Sequence, residues 1–303
     1  MTQRLTRLSG PAIACITAVV SGFAIFLNGY GVRAWRDAGV GAAPYTTAKN
    51  LVAAAALVAL ATTAARRRRR DPGRLTDSQR MRLLAVGIIG GAVPFVLFFE
   101  GLARASSVQA AFIHKTLVVW VALLAVPLLR ERLSGLHLAA IGLLIGGEAA
   151  MGGVGSISVG TGELMIFAAT LLWAVEVVVA KTLLCDLSSS LVGAARMGIG
   201  AVALVAWTLV SGGAAGLSGL PAAAWGWIAL TGLALTAYVA TWYLALSKAQ
   251  AVDVTAVLVL GALITAALRT GFAGAAIPNP VGLGLLAIGG VVAITAMLRP
   301  APR

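Results

Sequence analysis

The chain has 303 residues, of which 60% are apolar and only 11% are charged. Soluble domains average about 45–50% apolar and about 25% charged residues, so this composition excludes an ordinary soluble enzyme. The formal net charge of +13 would suggest a nucleic-acid partner in a soluble protein, but here the basic residues follow a membrane pattern.

Apolar segments long enough to cross a bilayer recur along the whole chain. A spanning helix needs roughly 20 mostly apolar residues. Ten windows meet this requirement, at residues 11–31, 43–65, 82–102, 107–128, 135–153, 162–183, 191–211, 223–245, 253–274 and 280–298. We therefore predict an all-α integral membrane protein with ten transmembrane helices.

The basic residues predict the orientation of these helices. With the N-terminus in the cytoplasm, the opposite side of the membrane holds only Arg33, Arg36 and Arg104. Short cytoplasmic loops are enriched in Lys and Arg, so we predict a multi-pass protein of the cytoplasmic (inner) membrane with both termini cytoplasmic. The run RRRRRDPGR (66–74) could bind anionic lipid or nucleic acid. An orientation signal is favoured, with the lipid bilayer as partner and no nucleic acid.

The first span follows basic residues, as a signal peptide would. No convincing small-residue cleavage site follows it, and we interpret it as a retained helix. Cys15 and Cys185 both fall at predicted cytoplasmic ends without metal-like neighbours. We therefore expect no disulfide, no metal and no cofactor.

Two pairs of similar segments indicate an internal repeat. FFEGLARASSVQAAF (98–112) is similar to WYLALSKAQAVDVTAV (242–257), and TAKNLVAAA (47–55) to AARMGIGAV (194–202), about 144 to 147 residues apart. Each repeat then has five helices, and an odd number makes the second copy run inverted. Inverted repeats are typical of transporters whose substrate site lies near the midplane. The predicted units are 1–10 (N-terminal tail), 11–153 (first repeat), 154–161 (external linker), 162–298 (second repeat) and 299–303 (C-terminal tail).

Glycines four positions apart predict close helix packing within these repeats. Gly87 and Gly91 in the third span, and Gly142 and Gly146 in the fifth, each lie on one helical face.

Two motifs resemble a known family. The segment at 106–151, with its small-residue start, its acidic turn Arg130-Glu131-Arg132-Leu133 and its Gly-rich end, resembles helices four and five of the EamA-like branch of the drug/metabolite transporter superfamily. LLWAVEVVVAKTLL (171–184) is similar to the opening of that family's second repeat. The resemblance implies ten helices, alternating access and export or exchange of small metabolites. The second repeat has RTGFAGAAIPNPVG in place of the acidic turn, so we expect an unusual gate at helices nine and ten.

Charged side chains inside the spans are the candidate site. A charge near mid-bilayer costs about 2.5–3.5 kcal/mol and nearly always faces a cavity or a partner. Glu100 lies near the outer surface and is interpreted as interfacial, whereas Lys49 and Arg196 occupy equivalent repeat positions, which favours a structural role. The predicted substrate-binding residues are His114, Lys115, Glu148, Glu176, Arg269, Trp173 on the face of Glu176, and Asn50.

The chemistry of these residues suggests separate roles. Adjacent residues point about 100° apart on a helix, so we assign Lys115 to the cavity and His114 to its edge or to a neighbouring helix. Lys115 would be the counter-ion of a substrate carboxylate or phosphate, and Glu148 or Glu176 would carry a proton, which leaves proton coupling open. A buried structural ion pair without substrate contact, for Glu176 and for Lys115, and core packing of Trp173 stay open as alternatives.

Together these patterns predict a secondary active or facilitated transporter of a small metabolite. We expect an amino acid or related anionic or zwitterionic solute, with efflux as the direction and a monomer or homodimer as the assembly. The chain has only His114 and His137 as histidines and no acidic pair at helical spacing within a span, which disfavours catalysis. No Gly-Lys-Ser or Gly-Lys-Thr occurs, so direct use of ATP is not expected. A non-transporting scaffold and a lipid-modifying enzyme are the alternatives.

Overall fold

The computed structural model describes residues 8–68, 74–105, 107–152, 160–214, 217 and 220–299. In this part of the chain, ten helices are long and apolar enough to cross a membrane, which confirms the predicted all-α architecture. They are α1 (Gly10–Asp37), α2 (Ala42–Arg68), α3 (Asp77–Gly91 and Val93–Leu102), α4 (Ser107–Lys115 and Leu117–Leu129), α5 (Gly135–Gly152), α6 (Thr161–Leu183), α7 (Ser189–Val210), α8 (Ala222–Leu246), α9 (Ala251–Leu258 and Gly261–Ala273) and α10 (Pro280–Leu298).

Local sequence signals explain where several helices begin and end. Thr76 and Gln79 form a reciprocal capping box at the start of α3, with hydrogen bonds of 3.2 and 3.1 Å. Asn279 accepts a hydrogen bond from the Val281 N–H, and Pro280 occupies the first position of α10. Gly274 ends α9 with a φ of 60°, a conformation that glycine adopts without a steric penalty. Polar caps therefore separate spans that are otherwise continuously apolar.

Helices α4 and α9 are broken at equivalent points of the two repeats. The break in α4 lies at Thr116 and that in α9 at Val259 and Leu260, so the spacing from Thr116 to Leu260 matches the repeat of about 144 residues in the sequence. At Thr116 the hydroxyl donates to the Ile113 carbonyl at 2.6 Å, which competes with regular helical bonding. The shared breaks indicate that the two repeats have one architecture.

The helices pack as a symmetric set in which the two repeats interlock. Helix α1 packs on α8 as its counterpart α6 packs on α3, whereas α2 packs on α7 and α5 on α10. The second segment of α4 contacts α6, and the second segment of α9 contacts α1 in the same way. Exchanging the repeats reproduces each of these contacts, as a two-fold axis between inverted repeats requires. Since ten spans are an even number, α1 begins and α10 ends on one side, which we call the terminal side; the other is the distal side.

Glycine packing confirms the prediction for α3 and corrects it for α5. A Cβ added to Gly91 would lie 3.0 Å from the Cα of Gly200, so the backbones of α3 and α7 are in direct contact. A Cβ added to Gly142 or Gly146 would meet nothing within 4 Å, so these two glycines do not mediate packing. The prediction for α5 was wrong because the face that carries Gly142 and Gly146 is not the face that α5 packs against α10.

Gly147 forms the close contact that Gly146 does not. A Cβ on Gly147 would lie 2.9 Å from the Leu286 backbone nitrogen and 3.0 Å from the Gly282 carbonyl oxygen of α10. Real Cβ atoms almost never approach backbone so closely. The α5–α10 contact therefore depends on a glycine at this one position.

We predict that Gly147→Ala lowers the free energy of unfolding by about 1–3 kcal/mol, because the added methyl forces α5 and α10 apart. Gly146→Ala is the matched control, since its methyl faces open space and it should leave stability unchanged or slightly raised. Thermal unfolding of the purified protein in detergent measures both. Equal stability of the two variants would contradict the α5–α10 packing described here.

Candidate functional site

Five of the seven predicted site residues lie in one connected group of side chains. We call this group the central cluster. It is formed by α3 to α8 and consists of Gly90, Phe95, Phe98, His114, Lys115, Glu148, Trp173, Glu176, Arg196 and Tyr243.

Glu176 is the most enclosed charged residue of the central cluster. Only 2% of the residue is exposed, and its Oε1 atom accepts a hydrogen bond from the Tyr243 hydroxyl at 2.5 Å. The Arg196 Nε atom lies 3.8 Å from the same oxygen. A carboxylate taken out of water costs several kcal/mol unless an opposite charge and hydrogen bonds replace the solvent. Arg196 and Tyr243 supply that replacement.

A free backbone carbonyl in α3 joins Trp173 to Arg196. Pro94 has no N–H, so the helical bond that would run from residue 94 to the Gly90 carbonyl cannot form. The freed Gly90 oxygen accepts hydrogen bonds from Trp173 Nε1 at 3.0 Å and from Arg196 Nη2 at 2.9 Å. The break in α3 therefore supplies an acceptor at the place where α6 and α7 present their donors.

The Trp173 ring connects this carbonyl to His114. The ring centroid of Trp173 lies 4.9 Å from that of His114 and 5.7 Å from that of Phe98. His114 Nδ1 is enclosed and has no hydrogen-bond partner among the described residues. The sequence-based assignment of His114 to a neighbouring-helix contact agrees with this position against α6.

Lys115 pairs with Glu148, not with Glu176. The Lys115 Nζ and Glu148 Oε1 atoms are 3.6 Å apart, and the lysine side chain is 19% exposed against 7% for the glutamate. Glu176 has Arg196 as its cation instead. Both residues therefore lie in buried ion pairs, which agrees with the alternative of a structural role as well as with a role in substrate binding.

Asn50 and Arg269 stand apart from the central cluster. Asn50 is fully buried and donates to the Thr46 carbonyl of its own helix at 2.7 Å. Arg269 is exposed, in the last turns of α9 towards the distal side, and forms no ion pair with a described residue. A long cationic side chain near a helix end can extend to water, and an amide can bond to its own backbone. Both residues therefore lie outside the central cluster, and their role in substrate binding stays a prediction.

Five members of the central cluster were not predicted as site residues: Gly90, Phe95, Phe98, Arg196 and Tyr243. Arg196 was noticed through the repeat and interpreted as structural, and Tyr243 carries no charge that would have singled it out. Gly90 contributes only its backbone. The position of Pro94, four residues after Gly90, was the signal in the sequence that a carbonyl there would be free.

A second group of polar residues closes the terminal side, and we call it the terminal gate. It consists of Glu131, His137, Lys181 and Asp253. The Glu131 carboxylate, in the turn between α4 and α5, accepts hydrogen bonds from the Ala251 N–H at 2.6 Å and the Val252 N–H at 3.1 Å. A negative charge at a helix N-terminus is stabilised by the unpaired N–H groups there. Glu131 therefore attaches the α4–α5 turn to the start of α9.

Burial also changes the protonation of Glu131. Desolvation raises the pKa of this carboxyl, although the two backbone N–H donors and Lys181 act in the opposite direction. Burial therefore acts against the ionised form that the two backbone N–H donors stabilise.

The other gate residues add contacts beside Glu131. His137 Nε2 lies 3.0 Å from Asp253 Oδ1, which joins α5 to α9. Lys181 Nζ donates to the carbonyls of Leu246 and Ala249 at 2.6 and 2.5 Å, which joins α6 to the end of α8. Outside these contacts is a cavity of about 550 Å³, lined by Arg132, Ser134, Gly135, Leu136, His137, Gln250, Asp253, Ala296, Met297 and Arg299. The terminal gate therefore lies next to this cavity, since His137 and Asp253 belong to both.

Comparisons with known proteins agree with this architecture. An uncharacterized transporter, YyaM, of Bacillus subtilis (strain 168) is 30% identical over 152 residues, which are 48% of this chain and 50% of that protein. The chain therefore matches about half the length of this curated relative. A crystal structure of a protein with 16% identity matches with a TM-score of 0.72, covering 92% of this chain and 97% of the other, and shows the fold alone.

The family model agrees with the two repeats seen in the packing. Residues 8–152 and residues 160–297 each match the EamA-like transporter family. These two matches cover nearly all of the described chain. The protein is a multi-pass membrane protein that belongs to the EamA-like transporter family.

Proposed function

We propose that this protein is a secondary active or facilitated transporter that moves a small anionic or zwitterionic metabolite, such as an amino acid or a related solute. The observation that carries the proposal is unfilled hydrogen-bonding capacity inside the central cluster. His114 Nδ1 is enclosed and has no hydrogen-bond partner among the described residues, and Glu148 Oε1 and Arg196 Nε have only ion-pair contacts at 3.6 and 3.8 Å, which are longer than hydrogen bonds. Buried polar atoms are nearly always satisfied, so three such atoms in one cluster favour a polar ligand that satisfies them.

The cluster offers both signs of charge to a zwitterion. Glu176 and Glu148 can accept hydrogen bonds from a substrate ammonium, and Arg196 and Lys115 can donate to a carboxylate. Without substrate, the two charges of each ion pair neutralise each other. When the substrate binds, its ammonium and carboxylate replace them as partners. Glu148 and Glu176 are also the residues that we propose as proton carriers.

Alternating access provides the route to this enclosed site. Since Glu176 is only 2% exposed, the substrate can enter only if helices move. We propose that the equivalent breaks in α4 and α9 act as hinges in this movement. Terminal-gate contacts would separate in one state of the cycle. The distal loop at 274–279 has no acidic residue corresponding to Glu131, so we propose that the distal gate closes by apolar packing.

We further propose that the terminal side faces the cytoplasm of the inner membrane and that transport is outward. The basic residues near the helix ends support this orientation, since Arg66, Arg80, Arg82, Arg130 and Lys181 all lie towards the terminal side. The direction of transport follows the family resemblance of the sequence.

We predict that Glu176→Gln abolishes exchange of pooled labelled amino acids and organic acids in proteoliposomes, while the protein inserts and remains folded. The change keeps the shape of the side chain but removes the charge that the substrate ammonium needs. Glu163→Gln is the matched control, because Glu163 is buried on the same helix yet only caps its start. Wild-type vesicles that exchange no metabolite, with and without a pH gradient, would contradict the proposed function.

Labelling of the native Cys185 tests separately which side of the membrane the terminal side faces. Cys185 is exposed at the terminal end of α6, and Ser211 lies at the distal end of α7. We predict that a membrane-impermeant maleimide leaves Cys185 unlabelled in intact cells and labels it after lysis. In a Cys185→Ser background, Ser211→Cys should react in intact cells. The opposite pattern would reverse the topology.

Loss of the Glu131 cap should open the terminal gate. Glu131→Ala removes both acceptors from the start of α9, and losing a helix cap costs about 0.5–2 kcal/mol. Labelling of Val252→Cys, at a position that is 1% exposed, should therefore accelerate by about twofold to thirtyfold. The background carries Cys15→Ser and Cys185→Ser. Glu163→Ala, which removes a cap on the distal side, should leave the rate unchanged; equal rates with and without Glu131 would exclude the gate.

A further inference from the structure

Lys49 is a buried cation on the distal half of the bundle, outside the central cluster. The residue is 8% exposed, and its Nζ atom donates to Asn28 Oδ1 of α1 at 3.0 Å. The Tyr45 hydroxyl, bonded to Thr231 at 2.9 Å, contacts the same Asn28 oxygen at 3.1 Å. A neutral amide and a phenol thus surround an ammonium that is closed off from most of the solvent.

No carboxylate balances the charge of Lys49 in the part of the chain that the structure describes. The two other basic side chains deep in the bundle each have one, since Arg196 lies 3.8 Å from Glu176 and Lys115 lies 3.6 Å from Glu148. A buried charge without a counter-charge is costly and is seldom kept without a function. An ammonium has three donors, and only one hydrogen bond from Nζ is seen here.

The pseudo-symmetry identifies what is missing beside Lys49. Lys49 and Arg196 are each seven positions after the first residue of α2 and α7, which are equivalent helices and pack on each other. Each cation also contacts a side chain of the preceding helix, Asn28 of α1 for Lys49 and Glu176 of α6 for Arg196. In the second repeat the cation therefore meets a carboxylate, and in the first it meets an amide. Asn28 therefore occupies the position at which a carboxylate would form an ion pair with Lys49.

We propose that Lys49, with Asn28 and Tyr45, is an anion-binding subsite in which a carboxylate or phosphate of the substrate takes the place of the missing protein carboxylate. This inference rests on the proposed transport function and specifies the substrate as one that carries an anionic group. By symmetry the subsite lies on the distal half of the pathway, as the Glu176–Arg196 pair lies on the terminal half. An anionic substrate then pairs with Lys49 when the distal side is open.

Binding of simple anions tests the subsite without any transport assay. The protein in lipid nanodiscs is heated while chloride is replaced by acetate or by phosphate at constant ionic strength, and methylammonium serves as the cationic probe. We expect acetate or phosphate to raise the unfolding temperature of the wild type, and methylammonium to have no effect. Lys49→Met should weaken the apparent anion affinity by at least about tenfold, because it removes a charge-assisted hydrogen bond. The exposed Arg33→Gln, on the same helix as Asn28, is the control for unspecific charge effects and should respond as the wild type does.

Asn28→Asp keeps the proposal falsifiable if Lys49→Met does not fold. This change supplies the carboxylate from within the protein and should raise the unfolding temperature in chloride while removing the response to acetate and phosphate. An Asn28→Asp variant that still responds as the wild type does would overturn the subsite, as would an equal response of wild type and Lys49→Met. The relative size of the acetate and phosphate responses distinguishes the two anions. This experiment measures anion binding and not transport. A wild type that transports nothing would therefore contradict the proposed function without affecting the test of the subsite.

Discussion

The low polarity of a membrane interior is the constraint on which this structure depends. An ion that leaves water loses several kcal/mol of solvation, so a charged side chain deep in the bundle needs an opposite charge close by. Glu176 meets Arg196 and Lys115 meets Glu148, and each pair is held by two different helices. Such pairs add little net stability, whereas removing one partner costs about 3–5 kcal/mol. Buried ion pairs that add little stability and whose disruption is strongly destabilising are best explained by a function that requires the charges.

An interruption of the helical backbone contributes a hydrogen-bond acceptor to the central cluster, beside the charged side chains. Backbone groups inside a membrane must be satisfied, and non-helical segments are tolerated only where protein surrounds them. Pro94 leaves the Gly90 carbonyl without its helical donor, and Trp173 and Arg196 bond to that oxygen instead. Pro94 thus frees an acceptor through which α6 and α7 both contact α3. The helical backbone is also interrupted in α4 and in α9, at equivalent points of the two repeats.

The sequence was sufficient for the spans and insufficient for the pairing of charges. Apolar runs of about twenty residues identify helices without knowledge of their neighbours, and the two similar segments revealed the repeat. Intramembrane charge also selected Glu176, Lys115, Glu148 and His114, because few other reasons exist to place such residues in a span. Which cation meets which carboxylate depends on how helices rotate against one another, and no periodicity in a single helix encodes that. Gly147 against Gly146 illustrates the same limit, since adjacent residues of one helix have opposite packing roles.

The most direct test of the account compares loss of one charge with loss of both charges of the Glu176–Arg196 pair. Arg196→Met alone leaves a buried carboxylate unpaired and should lower the free energy of unfolding by about 3–5 kcal/mol. Adding Glu176→Gln to Arg196→Met should restore stability, because no buried charge is left without a partner. We predict that this stable double variant, reconstituted in proteoliposomes, exchanges no substrate. Exchange at the wild-type rate by the double variant would show that the pair only stabilises the fold, and would contradict the central claim.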